Sequence, residues 1–152
     1  MNGIKTLGAA MLVITALACN QKSAFAMSAE TIADVSLTCG KTSPLIGKTF
    51  ELITRAHGVR GTVEIVDDCT ISIKNFNYDG KGLQVEIYSA VKSDFTQGQV
   101  ISTDLLRPTK PYIDAEIKLR LPQELTVDTL EGVSIWCSDV SVSFGDVLFS
   151  AN

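Results

Sequence analysis

Residues 113–121 (IDAEIKLRL) place an apolar side chain at every second position: Ile113, Ala115, Ile117, Leu119 and Leu121. A period of two is the repeat of a β-strand with one face on a core and the other in water. The same alternation recurs at 62–66 (TVEIV), 70–74 (TISIK) and 83–87 (LQVEI). Residues 49–53, 133–137, 140–144 and 147–149 complete a set of seven or eight short strands with turn residues between them. One-sided burial argues against a parallel sheet covered by helices, whose strands are apolar on both faces. After residue 39 no stripe has helical spacing, so the expected fold is all-β, a single antiparallel β-sandwich. The irregular piece 92–112, with Pro108 and Pro111, is expected to wrap between the sheets.

Parity also constrains one hairpin. A two-residue turn made of Asp67 and Asp68 alone would set Ile65 opposite Thr70 and point the two apolar faces in opposite directions. Pairing Ile65 with Ile71 and Val63 with Ile73 needs a loop of three or five residues, which puts Cys69 in or beside the hairpin tip. In residues 133–137, Cys137 shares parity with Val133 and Ile135 and should face the core, while Ser134 and Trp136 face the other way.

The first 26 residues fit an export signal: Lys5, then an apolar run from Leu7 to Ala18, then Ala24-Phe25-Ala26 with cleavage expected after Ala26. An alternative is lipid attachment at Cys19, although Ala16 stands where such signals usually carry Leu. Residues 27–44 then form a lead segment and 45–150 the domain. Removing Lys5 and Lys22 from the 13 basic residues leaves 11 against 17 carboxylates, a net charge of about −6. An acidic chain of this kind lacks the clustered Lys and Arg that grip a phosphate backbone, so no nucleic-acid partner is expected. No apolar run is long enough to span a bilayer. The expected location is secreted or periplasmic, where disulfides persist.

Few residues offer chemistry. His57 is the one histidine, which excludes a multi-histidine metal centre, and no C-x-x-C, H-x-x-x-H, G-x-S-x-G or phosphate loop is present. Asp67, Asp68 and Asp79 lie at turns, where Asp is favoured for local hydrogen bonding, and their spacing matches no calcium loop. No metal site is therefore expected. Past the signal the cysteines are Cys39, Cys69 and Cys137, an odd number. The pairing Cys39–Cys69 and the pairing Cys69–Cys137 both remain open.

The motifs also occur in a telling order. His57-Gly58-Val59-Arg60-Gly61-Thr62-Val63, Val66-Asp67-Asp68-Cys69-Thr70-Ile71 and Asn75-Phe76-Asn77-Tyr78-Asp79-Gly80 come first. Leu119-Arg120-Leu121-Pro122, Val133-Ser134-Ile135-Trp136-Cys137 and Phe144-Gly145-Asp146-Val147 follow. Together, over about residues 45–150, they resemble the DM-thirteen domain, an electron-transfer domain found alone or beside DOMON and cytochrome-type domains, including the Skeletor type. The resemblance implies a redox accessory module rather than a stand-alone catalyst, with a separate DOMON or cytochrome-type protein as partner. It implies that Cys137, in the S-x-W-C block, is the active cysteine, either as a bare thiol or as a ligand of a prosthetic group such as haem. His57 is the candidate second ligand. No C-x-x-C-H motif is present, so any haem would be held non-covalently. Residues 81–88 (KGLQVEIY) depart from the Gly-Pro/Asp-aromatic stretch of many relatives, and a ligand site lined by that stretch would be altered here. A second expectation, of another class, is a non-catalytic adhesion or ligand-binding sandwich with structural cysteines and with Trp136 and Tyr88 as surface aromatics.

Overall fold

A computed structural model describes residues 39–149. The export signal, Cys19 and residues 27–38 of the lead segment lie outside the described residues. Among the described residues, nine strands form two antiparallel sheets. They are β1 (Thr49–Glu51), β2 (Ile53–Thr54), β3 (Arg60–Asp67), β4 (Thr70–Tyr78), β5 (Val85–Ser89), β6 (Val100–Ser102), β7 (Tyr112–Arg120), β8 (Gly132–Cys137) and β9 (Val142–Leu148). One sheet has the order β1-β3-β4-β7 and the other β2-β9-β8-β5-β6. The chain changes sheet at buried Leu52, which splits the segment read as one strand into β1 and β2.

The core forms where the alternating apolar residues of the two sheets meet. Val63, Ile65, Ile71, Ile73, Ile117 and Leu119 come from the four-stranded sheet, and Val85, Ile87, Val133, Ile135, Phe144 and Val147 from the other, in one buried cluster. Burying so much apolar surface is the main drive of folding, and β-branched side chains suit the pleat. The hairpin register follows parity: Val63 pairs with Ile73 and Ile65 with Ile71. A bulge between Ile65 and Asp67 supplies the extra residue, Asp67 then pairs with Thr70, and Cys69 sits at the tip.

The alternation overshoots in three places. Ile113 is 72% exposed, because the register shift between Phe76 and Tyr78 brings Tyr112 rather than Ile113 to the core side. Asp114 takes a left-handed φ of 46° there, held by reciprocal bonds in which the Asn77 side-chain amide donates to Asp114 and the Asp114 N–H donates to the Asn77 oxygen. Leu83 is 68% exposed and β5 begins only at Val85. The segments 140–144 and 147–149 merge into one strand, β9, which covers Val142–Leu148, rather than forming two.

Strand β8 is central in its sheet, and all six of its residues are buried. Ser134 and Trp136 do face away from Cys137, as parity requires, but not into water. The Ser134 hydroxyl donates to that of Ser143 at 2.9 Å, and the Trp136 ring packs on Tyr88 at 5.9 Å between centroids.

Candidate functional site

Cys137 is the last residue of β8, opposite Val85 on β5 and Val142 on β9. It is a free cysteine, 5% exposed and part of the core cluster. The other two described cysteines, Cys39 and Cys69, are joined by a disulfide with a Cα separation of 5.6 Å. This decides between the two pairings, and its physical cause is the hairpin: Cys69 at the tip projects toward the segment entering β1, not across the core.

The surroundings of Cys137 come from the far end of the β4 strand. Tyr78 ends β4, is 1% exposed, and accepts a hydrogen bond from the Gly82 N–H at 2.8 Å on its hydroxyl. Burial pushes the Tyr78 phenol up from its ordinary value, against the pull of the Gly82 N–H, and charge on Asp79 and Cys137 adds to the rise. The Tyr78 ring lies 6.3 Å from that of Phe144 and 6.4 Å from that of His57. His57 itself packs on Phe144 at 4.2 Å between centroids, with the rings tilted by 39°.

Folding thus brings Tyr78 near Cys137 and sets His57 and Phe144 against Tyr78, at one end of the sandwich. His57 adopts a left-handed φ of 54° in the turn before Gly58, and its Nδ1 lies 3.1 Å from both oxygens of Asp79. Asp79 is lowered from its ordinary range: partial desolvation works against its charge, but the Lys81 N–H and His57 outweigh it. Tethering Nδ1 to a carboxylate fixes the ring and directs Nε2 away from it.

The haem reading can be tested against this packing. A methyl group placed on Gly82 would collide with a Val85 methyl, the Tyr78 hydroxyl and the Phe144 ring. Cys137 itself is only 5% exposed within the core cluster, a sulfur covered by packed side chains, which fits a bare thiol and not a haem thiolate ligand.

The aspartates act as turn acceptors. Asp67 accepts the Cys69 N–H at 3.1 Å, and Asp68 accepts the N–H groups of Thr42 and Ser43 at 2.9 and 2.8 Å. Trp136, expected as a surface aromatic, is only 7% exposed, which removes it as a stacking platform. Sequence reasoning missed the pair on the outer face of the β8–β9 sheet, where Arg55 donates from Nε and Nη2 to the two oxygens of Asp146 at 3.1 and 3.2 Å. It also missed Tyr78, which the Y-D-G turn motif contained but which looked like an ordinary strand residue.

Comparison with known proteins decides the family. The model of the electron transfer DM13 family matches residues 51–149. The chain belongs to the electron transfer DM13 family. Two isoform groups of Protein Skeletor from Drosophila melanogaster are each 32% identical over 120 residues, 72% of this chain and 15% or 8% of theirs. A cytochrome b561, DM13 and DOMON domain-containing protein of Arabidopsis thaliana is 34% identical over 116 residues, 74% of this chain and 12% of its own. The chain therefore spans 8–15% of the length of these curated relatives. No solved structure matches it. Among the described residues, no helix is long and apolar enough to cross a membrane.

Proposed function

We propose that this DM13 chain is an exported electron-transfer accessory module that acts through the Cys137 thiol, with a separate DOMON or cytochrome-type protein as its redox partner. The observation that carries the reading is the uncommitted sulfur itself: Cys137 is a free thiol while Cys39 and Cys69 are bonded to each other. The Arabidopsis relative, which joins DM13, DOMON and cytochrome b561 in one protein, supports a haem protein as partner. Export is supported by the disulfide, since such bonds persist in oxidising compartments.

A bare thiol exchanges electrons by sulfur chemistry. In thiol–disulfide exchange with a disulfide-bearing protein, the Cys137 thiolate attacks one disulfide sulfur, a mixed S–S bond forms, that disulfide breaks and its second sulfur leaves as a thiolate with the electron pair; a further thiol then releases Cys137. That step requires access. Cys137 is the last residue of β8, so reaching it needs only that end of the strand and the segment after it to open. The seam above it is held by Ser138, which donates to the Gln84 carbonyl from its N–H at 2.9 Å and its hydroxyl at 3.1 Å. Opening this seam uncovers the sulfur without unfolding the sheets. His57 and Asp79 lie at the same end and offer a proton acceptor at the protein surface.

The test is the reaction of the native protein with an aromatic disulfide probe, followed by peptide mass mapping. Cys137 is expected to form the mixed disulfide faster than the protein globally unfolds, and a dithiol should reverse it. The same reaction should be lost in Cys137→Ser. If Cys137 reacts only at the rate of global unfolding, the sulfur is a core atom and the proposal falls.

A further inference from the structure

The tip of the β3–β4 hairpin holds a second sulfur centre, at the opposite end of β4 from Tyr78. With β4 running from Thr70 to Tyr78, about 26 Å of extended strand separates the two ends. The Cys39–Cys69 disulfide is half-buried and lines a groove of about 400 Å³, with Arg120, Leu121, Pro122 and Leu125 among its other lining residues. A reagent can approach the bond from the groove. The two sulfurs and a carboxylate oxygen of Asp67 lie within 4.8 Å of one another.

The segment that carries Cys39 is also held by hydrogen bonds that do not involve the S–S bond. Asp68 accepts from the Thr42 N–H, the Thr42 hydroxyl and the Ser43 N–H, and its own N–H donates to the Gly40 carbonyl at 3.0 Å. The Ser43 hydroxyl donates to Asp128 at 2.6 Å. Farther along, the Gly47 N–H donates to the Ile65 carbonyl and the Ile65 N–H to the Lys48 carbonyl, at 2.8 and 3.1 Å. These bonds would keep both sulfurs beside Asp67 once the disulfide is cleaved.

We propose that Cys39 and Cys69 form a reducible pair whose dithiol form, together with the Asp67 carboxylate, binds a thiophilic divalent cation of the zinc type. A dithiol reductant delivers two electrons and two protons; the S–S bond breaks, two S–H groups form, and the reductant closes its own disulfide. The cation then displaces the two thiol protons. Zinc-bound sulfurs lie about 2.3 Å from the ion, hence about 3.8 Å apart at a tetrahedral angle, a spacing that a Cα separation of 5.6 Å accommodates. Two thiolates next to Asp67 and Asp68 concentrate negative charge, which a cation neutralises. The Thr70 hydroxyl, 4.0 Å from the Cys39 sulfur, adds a weak donor to it. Oxidation to the disulfide removes two of the three ligands, so occupancy follows redox state.

The experiment uses the full chain carrying Cys19→Ser and Cys137→Ala, so that this pair supplies the only thiols and the outcome is independent of the Cys137 reading. The protein is reduced with a phosphine, titrated anaerobically with Co²⁺, and followed by thiolate-to-cobalt absorption and by circular dichroism. The reduced protein is expected to keep its β spectrum and bind one equivalent of Co²⁺ with a charge-transfer band that Zn²⁺ displaces. The oxidised protein should show no band, and Asp67→Asn should weaken binding by about tenfold or more. The proposal is overturned by a folded, reduced protein that shows no band, by a band that survives Cys39→Ser or Cys69→Ser, or by loss of the β spectrum on reduction, which would make the bond a staple and nothing more.

Discussion

At the residue scale, two substitutions probe the loop between β4 and β5 and its seam with the end of β8. Gly82 has no room for a Cβ, so Gly82→Ala should cost about 1–3 kcal/mol of stability, the usual range for overpacking, measured by urea unfolding. Ser138→Ala removes one of the two bonds to Gln84 across the seam, and should raise the rate of Cys137 modification several-fold with little loss of overall stability; an unchanged rate would place the opening elsewhere. Asp68 makes a statement about pH. Its carboxyl is held below the ordinary range, first by the Ser43 N–H and then, against partial desolvation, by the Thr42 N–H and hydroxyl. A lowered folded value means that its stabilising effect is present above the unfolded value of about 3.9 and is lost as pH falls through the folded one. Asp68→Asn should therefore lower the melting temperature at pH 7 and flatten its decline below pH 4.

At the scale of elements, β7 shows what periodicity can and cannot deliver. Its central residues, Ile117 and Leu119, are buried as the alternation demands. Its first turn of the pattern is not, because Asp114 in a left-handed conformation, bonded to Asn77, flips the preceding residue outward. Leu119→Ala should cost about 2–5 kcal/mol, as for other buried large-to-small changes, whereas Ile113→Thr should stay within about 0.5 kcal/mol. Chemical denaturation of the two variants checks the contrast. The β3–β4 register was legible because a one-residue slip would have turned Ile71 and Ile73 into water. The bulge that realises it was not, since several loop lengths satisfy the same parity.

At the scale of the whole molecule, the topology is dominated by pairings between distant parts of the chain. β2 pairs with β9 and β4 with β7, and consecutive β1 and β2 sit in different sheets. Such non-local contacts must pay loop-closure entropy before they stabilise anything, so folding should take milliseconds to seconds rather than microseconds. The single tryptophan, Trp136, is buried in central β8, which makes stopped-flow fluorescence a direct measurement of the rate. A microsecond phase carrying the full amplitude would contradict this reading of the topology.

The sequence alone determined the all-β class, the core faces of the strands, the position of Cys69 at a hairpin tip and the inward direction of Cys137. These follow from side-chain parity along an extended backbone, a local property. Only the tertiary structure decided which sulfur partners Cys69, that Tyr78 and His57 share an end of the sandwich with Cys137, and that Trp136 is covered. Parity assigns a face but not a neighbour. Neighbours across sheets are set by strand order and by the bulges that shift register, and these arise from contacts between segments far apart in the chain.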